Sequence, residues 1–105
     1  MNEIDLESFA AAQAVGAFVI DVREVVEYTT GHVPGARLIP LNRLPSALAE
    51  LPPAEPVYVI CASGNRSKAA TGFLRGVGIN AISVAGGTGR WVRTGRPVIE
   101  GIRER

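Results

Sequence analysis

The residue with the clearest capacity for chemistry is Cys61, the single cysteine of the chain. It follows the apolar run Val57-Tyr58-Val59-Ile60 and precedes the segment Ala62-Ser63-Gly64-Asn65-Arg66-Ser67. Without a second cysteine, Cys61 cannot form a disulfide within this chain. Its thiol is therefore available as a nucleophile, which is the form of cysteine chemistry that a reducing compartment preserves.

Three features of the segment after Cys61 favour the ionised thiol. A helix that begins after the loop presents free N–H groups and the positive end of its dipole. Gly64 and Asn65 tolerate left-handed backbone angles, so the loop can turn successive N–H groups inward. Arg66 adds a fixed positive charge with a planar set of donors. The pattern predicts a thiolate with a lowered pKa, and the alternative is a structural cysteine in the core.

The elements that must position this loop alternate along the chain. We expect helices at residues 6–15, 24–28, 44–51, 67–77 and 88–94, and strands at residues 17–20, 36–39, 57–60 and 81–84. This order predicts an α/β domain with a mostly parallel central sheet of about five strands and helices on both faces. In such sheets ligands bind beyond the carboxyl ends of the strands, where Asp21 and Cys61 both lie.

The helix expected at residues 67–77 has its apolar residues at helical spacing. We expect this stripe to face the sheet. Its members are Ala69, Ala70, Phe73, Leu74 and Val77.

Composition narrows the classes of function. The chain has 105 residues, which suits one domain, and a formal net charge of +1, which argues against a nucleic-acid partner. One cysteine and one histidine are too few for a zinc-type site. The apolar stretch at residues 9–20 is too short to span a membrane. The acidic start is unlike a secretory signal, so we expect a cytoplasmic protein.

Four segments, in the family's order and spacing, resemble the rhodanese family. The matches extend over residues 3–99, so the resemblance implies a single rhodanese-like domain over residues 1–105 with its core at about 3–99. The segments are the loop at residues 61–66, Asp21-Val22-Arg23, Tyr28-Thr29-Thr30-Gly31-His32-Val33-Pro34-Gly35-Ala36, and Gly86-Gly87 followed by Trp91.

The resemblance implies a sulfurtransferase in which Cys61 is the catalytic nucleophile. Its thiolate takes the outer sulfur of a small anionic donor such as thiosulfate and expels sulfite. The resulting persulfide rests among the N–H groups of the loop, and a thiol or a protein then accepts the sulfur in a ping-pong cycle. No cofactor and no metal are implied. The residues expected to bind the donor and the persulfide are Ala62, Ser63, Gly64, Asn65, Arg66 and Ser67.

Other charged residues receive supporting roles. We expect Asp21 to bond backbone N–H groups or an arginine, and Arg23 to pair with Glu24. Arg66 is expected to contact the donor, and the alternative is a salt bridge to Asp21 or to a nearby glutamate. For His32 we expect a place in a turn, with its ring bonded to the backbone.

Two other functions compete with sulfur transfer. A cysteine-dependent phosphatase or arsenate reductase also combines a cysteine, an anion-binding loop and an arginine, but its loop is usually one residue longer. A shorter loop suits a sulfur atom or thiosulfate better than a phosphate monoester. The second competitor is a non-catalytic rhodanese-like binding module, although such modules usually lack the cysteine. The small side chains of Ala62 and Ser63 leave the identity of the donor open.

Overall fold

A computed structural model describes residues 2–105, in which short strands alternate with helices. The strands are β1 (Glu3–Ile4), β2 (Phe18–Asp21), β3 (Arg37–Leu38), β4 (Val57–Ile60) and β5 (Ala81–Val84). The α-helices are α1 (Leu6–Ala14), α2 (Val25–Thr30), α3 (Asn65–Gly76) and α4 (Gly87–Arg93). Two 3₁₀ helices, Leu41–Ser46 and Leu48–Glu50, connect β3 to β4.

The five strands form one sheet in the order β1-β5-β4-β2-β3, and every pair is parallel. Asp21 lies opposite Ile60, so β2 and β4 end at the same edge of the sheet. Cys61 follows Ile60 directly, and this register brings the loop after β4 next to the end of β2. The predicted parallel sheet of about five strands is confirmed.

Helices cover both faces of the sheet, as predicted. Successive side chains of a strand point to opposite faces, so Ile20 and Val59 pack against α3 and the 3₁₀ segment, while Val19 and Ile60 pack against the other helices. Fully burying one such side chain is worth roughly 1.5–3 kcal/mol. The principal helical residues of the first core are Leu44, Ala70 and Leu74, and those of the second are Leu6, Phe9, Tyr28 and Trp91.

Residues 44–51 do not form the predicted α-helix. Most of them lie in the two 3₁₀ helices, which Ala47 separates and Leu51 follows, and Pro45 is inside the first helix. Proline has no N–H to donate and blocks a continuous α-helical ladder, whereas a short 3₁₀ segment accommodates it. The strand predicted at residues 36–39 is reduced to Arg37–Leu38. Strand β1 was not predicted, because two residues are too few to show an alternating pattern.

The predicted apolar stripe of α3 is also wrong in part. The helix begins at Asn65, two residues earlier than predicted, and its buried residues are Ser67, Ala70, Thr71 and Leu74. Phe73 is 40% exposed and Val77 is 50% exposed. The buried residues are spaced as expected for one face of a helix, but two of them are polar. A pattern of apolar residues alone therefore points to a neighbouring face of α3.

No helix within residues 2–105 is long and apolar enough to cross a membrane.

Candidate active site

Cys61 lies immediately after β4 and is almost completely buried, with 1% of its surface exposed. Its Sγ accepts hydrogen bonds from the N–H of Gly64 at 3.1 Å and from the N–H of Ser67 at 3.3 Å. Gly64 directly precedes α3, and Ser67 is the third residue of this helix. The N–H groups at the start of a helix have no partner within the helix. The sulfur thus occupies the position that an anion would take at a helix N-terminus.

The turn depends on Gly64. This residue has φ of +107°, in the left-handed region that residues with a Cβ rarely adopt. Asn65 does not share this role, contrary to our expectation: it is the first residue of α3, and no residue other than glycine has a positive φ within residues 2–105. One glycine is therefore enough to turn the chain and direct the N–H groups toward the sulfur.

Opposing effects act on the pKa of the Cys61 thiol. Burial raises the pKa, because it removes water from the charged form. Hydrogen bonds from the Ser67 side chain and N–H, and from the N–H groups of Gly64 and Ser63, lower it. The hydrogen bonds prevail, and the pKa lies below the ordinary value for cysteine. The loop therefore favours the nucleophilic thiolate.

Ser67 links the loop to the neighbouring strand β5. Its hydroxyl donates to the Gly64 carbonyl at 3.1 Å and lies 2.7 Å from Oγ of Ser83. Both serines are buried, with 0% and 1% of their surface exposed. If Ser83 donates to Ser67, the Ser67 proton can turn between the Gly64 carbonyl and the Cys61 sulfur. Ser67 lies in the first turn of α3. Its partner Ser83, on β5, was not predicted from the sequence.

The beginning of the loop is held by helix α4. The N–H of Thr88 donates to the Cys61 carbonyl at 2.8 Å, and the N–H of Gly89 donates to the Ala62 carbonyl at 3.0 Å. A Cβ at Gly87 would collide with the Cys61 carbonyl oxygen and lie 2.7 Å from that of Ala62. In the sequence, Gly86-Gly87 stood out only as a segment that resembles the family. In the structure, the second glycine is what allows α4 to approach the loop.

Arg66 points toward α2. Its Nη1 and Nη2 donate to the two carboxylate oxygens of Glu27 at 2.8 and 2.9 Å. This hydrogen bonding lowers the pKa of Glu27 to about 2. Of the partners weighed for Arg66, the structure shows a nearby glutamate and not Asp21. Neither Arg66 nor Glu27 is buried, with 36% and 32% of their side chains exposed. Contact between Arg66 and a donor stays a prediction.

Asp21 and Arg23 form a buried ion pair next to the loop. Nε of Arg23 donates to Asp21 at 2.9 and 3.1 Å, and Nη2 donates at 2.8 Å. The Arg23 N–H also donates to Asp21, and its guanidinium donates to the Gly31 carbonyl at 2.9 Å. The predicted pair between Arg23 and Glu24 is wrong, because Glu24 and Glu27 form a reciprocal capping box at the start of α2.

His32 is fully buried. Its two ring nitrogens lie 2.9 Å from the Tyr28 carbonyl oxygen and 2.6 Å from that of Arg103. The ring stacks on Tyr28, with centroids 3.6 Å apart. These contacts confirm that His32 bonds the backbone and shapes the fold.

Ser63 is exposed on the loop. Within residues 2–105, no group of His, Cys, Asp and Glu side chains could hold a metal ion.

Comparisons with known proteins agree with this architecture. Residues 5–94 match the family described as "Rhodanese-like domain". A protein named "Sulfurtransferase" from Allochromatium vinosum is 31% identical over 102 residues, covering 94% of this chain and 95% of its own. "Thiosulfate sulfurtransferase GlpE" from Pseudomonas entomophila is 33% identical over 94 residues, covering 89% of this chain and 86% of its own.

Solved structures show the same fold. The crystal structure of a rhodanese-related protein from Thermoplasma volcanium superposes with a TM-score of 0.88 at 32% identity. The match covers 98% of this chain and 100% of that one. Some relatives are longer proteins, and this chain spans 24% and 50% of two of them.

Proposed function

This chain belongs to the rhodanese-like domain family, and on that basis we propose that it transfers a sulfane sulfur through a persulfide on Cys61. The relatives named sulfurtransferases support the general reaction. The observation that carries the proposal is the sulfur of Cys61 lying 3.1 and 3.3 Å from the N–H groups of Gly64 and Ser67. Residues 1–105 would act as one unit, with the core at about 3–99.

In the first step the Cys61 thiolate attacks the outer sulfur of a donor such as thiosulfate. A bond forms between Sγ and that sulfur, the sulfur–sulfur bond of the donor breaks, and sulfite leaves with the electron pair. The negative charge moves to the terminal sulfur of the persulfide. The N–H groups of Gly64 and Ser67 already point at the Cys61 sulfur, so little reorganisation is needed as the charge moves.

In the second step a nucleophilic acceptor attacks the terminal sulfur. The new bond joins the acceptor to that sulfur, and the Cys61 thiolate leaves with the electrons of the broken bond. Thiols, protein thiols and cyanide all satisfy this chemistry, and no cofactor is required. The free enzyme must be a reduced thiolate, and we therefore propose a reducing compartment such as the cytoplasm as its location.

Intact-mass spectrometry after thiosulfate treatment tests the proposal. We expect the wild-type protein to gain the mass of one sulfur atom, and cyanide to remove it as thiocyanate. The Cys61→Ser variant should gain nothing, and sulfate in place of thiosulfate is the matched small-molecule control. A wild-type protein that shows no adduct would overturn the proposal for thiosulfate and favour the binding module.

Phosphate chemistry has less support in this geometry. A phosphatase loop needs its arginine to bind the substrate's oxygen atoms, whereas both terminal nitrogens of Arg66 are already bonded to Glu27. We expect thiocyanate formation from thiosulfate and cyanide to exceed hydrolysis of an aryl phosphate. Faster hydrolysis of the aryl phosphate by the same preparation would favour phosphate chemistry over sulfur transfer.

A further inference from the structure

Ser83 is an unusual residue for its place in the fold. It lies on β5, which pairs with β1 on one side and with β4 on the other, and only 1% of its surface is exposed. Buried strand positions generally hold β-branched or aromatic residues, whereas serine is found mostly at the surface. A buried serine on an interior strand therefore indicates that its hydroxyl group has a use.

The Ser83 side chain faces α3. Ala81, two residues earlier on the same strand, packs in the core with Ala70 and Leu74 of this helix. Residues two apart on a strand point to the same face of the sheet, so Ser83 points to α3 as well. Its Oγ lies 2.7 Å from Oγ of Ser67 in the first turn of α3. Ser83 is thus held by its strand beside a residue that also contacts the nucleophile.

The direction of the hydrogen bond between the two serines follows from the partners of each hydroxyl. A serine hydroxyl has one proton to donate and can accept two hydrogen bonds. Ser67 can donate to the Gly64 carbonyl at 3.1 Å, whereas Ser67 Oγ is the only acceptor within residues 2–105 for the Ser83 hydroxyl. If Ser67 donated to Ser83, the buried Ser83 proton would have no acceptor in this part of the chain, which is unfavourable. Ser83 is therefore the donor and Ser67 the acceptor.

This direction leaves the Ser67 proton available for other acceptors. The N–H of Ser67 donates to Cys61 Sγ at 3.3 Å, so this residue already lies against the sulfur. Burial raises the pKa of the Cys61 thiol, and among the groups that lower that pKa the Ser67 side chain has the largest effect. A charged acceptor forms a stronger hydrogen bond than a neutral carbonyl. The Ser67 proton can therefore point at Gly64 when the sulfur is neutral and at Cys61 when the sulfur is charged.

From these contacts we infer that Ser83 is a positioning residue, which acts through Ser67 to stabilise the charged sulfur of Cys61. The inference rests on the proposed sulfur transfer and extends it. By donating to Ser67, Ser83 directs the Ser67 proton to the Gly64 carbonyl or to the sulfur. Negative charge lies on Sγ before the donor is attacked, moves to the terminal sulfur of the persulfide, and returns to Sγ when the acceptor takes that sulfur. The Ser67 proton follows this charge by rotation and stays on its own oxygen.

Two variants of similar shape test the inference. Ser83→Thr keeps the hydroxyl and Ser83→Val replaces it with a methyl group, while both add the same second branch at Cβ. The midpoint of alkylation rate against pH reports the pKa of the Cys61 thiol. We expect this midpoint to lie about half a pH unit or more higher in Ser83→Val than in Ser83→Thr, because only Ser83→Thr still directs the Ser67 proton.

Sulfur loading should change in the same order. Below both midpoints, we expect thiosulfate to load Ser83→Val about twofold more slowly than Ser83→Thr, measured by intact-mass spectrometry. The thiolate fraction falls as the pKa rises, and the greater nucleophilicity of the more basic thiolate offsets only part of that fall.

Replacement of Ser67 should abolish the difference between the two variants. When Ser67→Ala is combined with each of them, we expect equal midpoints, because the hydroxyl at position 83 then has no residue to act through. The protein that combines Ser67→Ala with Ser83→Val has lost both polar partners, and such double replacements are often nearly neutral for stability. Ser83→Ala adds no atoms to the core, and it should also have a higher midpoint than the wild-type protein.

Equal midpoints in Ser83→Thr and Ser83→Val, or in Ser83→Ala and the wild-type protein, would overturn the role of Ser83. A difference that persists in the presence of Ser67→Ala would overturn its action through Ser67. Alkylation needs no sulfur donor, so these results are separate from those with thiosulfate. Failure of the wild-type protein to gain sulfur would instead overturn the persulfide proposal on which the inference rests.

Discussion

Helices α3 and α4 begin in the same way but hold different parts of the loop. Each comes after the carboxyl end of a parallel strand, α3 after β4 and α4 after β5. Each is also preceded by a glycine in the left-handed region, Gly64 with φ of +107° and Gly86 with φ of +77°. At the start of α3, N–H groups are directed to the sulfur of Cys61. At the start of α4, they are directed to the carbonyl oxygens of Cys61 and Ala62.

The difference shows how one backbone arrangement serves two purposes. The first N–H groups of any helix need partners from outside the helix. In α4 the partners are neutral carbonyl groups, so the result is a fixed position for the loop. In α3 the partner is an ionisable sulfur, so the result is a preference for the charged form. Changes at α4 should therefore act mainly on the stability of the site, and changes at α3 mainly on the pKa of the thiol.

The largest effect is expected for Gly87→Ala. The new Cβ would collide with the loop carbonyls, and a φ of +59° disfavours any residue with a side chain. We expect urea denaturation to show a loss of about 2–5 kcal/mol. Gly95→Ala is the control, because Gly95 has φ of +81° but no heavy atom within 4 Å of its added Cβ. It should lose only about 1–2 kcal/mol. Equal losses would mean that the contact with the loop is unimportant.

Ser67→Ala should combine a smaller loss of stability with a change in the thiol. It removes a partner of the buried Ser83 hydroxyl, which costs about 1–3 kcal/mol, and it should raise the pKa of Cys61. The midpoint of alkylation rate against pH measures that pKa. Thr71→Val is the matched control on the next turn of α3, since the Thr71 hydroxyl has no partner within residues 2–105. An unchanged midpoint in Ser67→Ala would contradict the role assigned to this serine.

Gly64→Ala separates backbone conformation from direct contact. Its added Cβ meets the Gly86 nitrogen only at 3.5 Å, an ordinary contact, so the cost is the strain of a positive φ, about 1–2 kcal/mol. Gly78→Ala, with φ of +92° and open space around it, should lose a similar amount. Only Gly64→Ala should also raise the pKa of Cys61, because its N–H points at the sulfur. A raised pKa in both variants would indicate a general effect of unfolding.

The smallest effect is expected at the ion pair outside this comparison. Glu27→Gln should reduce stability by less than about 1 kcal/mol, because both partners are about one-third exposed. The pKa of Glu27 is lowered from 4.5 to about 2, so the contribution is complete above about pH 4.5 and is lost as the pH falls toward 2. Denaturation at several pH values should show the difference between wild type and variant shrink over that interval. A constant difference would exclude the ion pair as its source.

Arg66→Ala probes the same pair from the side of the loop. The hydrogen bonds that lower the pKa of Cys61 come from Ser67, Gly64 and Ser63 and not from Arg66. We therefore expect Arg66→Ala to raise the midpoint of alkylation less than Ser67→Ala does. A larger shift in Arg66→Ala would make the arginine, and not Ser67, the main stabiliser of the thiolate.

Much of the fold follows from local patterns in the sequence. The strands β4 and β5 begin and end as predicted, because short and mainly apolar runs bounded by turn residues are typical of strands buried on both faces. Residues 44–51 were misjudged, because an amphipathic pattern does not distinguish a 3₁₀ segment around Pro45 from an α-helix. The buried face of α3 was misjudged because Ser67 and Thr71 are polar residues in the interior.

By itself, the sequence was enough to select Cys61 as the candidate nucleophile and to predict a donor-rich loop after it. A lone cysteine between an apolar strand and a glycine-containing helix start leaves few alternatives, since the chemistry lies within a few consecutive residues. The partners of the loop were decided only by the tertiary structure. Ser83 is 16 residues from Ser67, and Glu27 is 39 residues from Arg66. Thr88 is 27 residues from Cys61, whose carbonyl accepts its N–H. The packing of separate strands and helices brings these pairs together. Local spacing carries no information about such contacts, because they depend on how separate strands and helices pack.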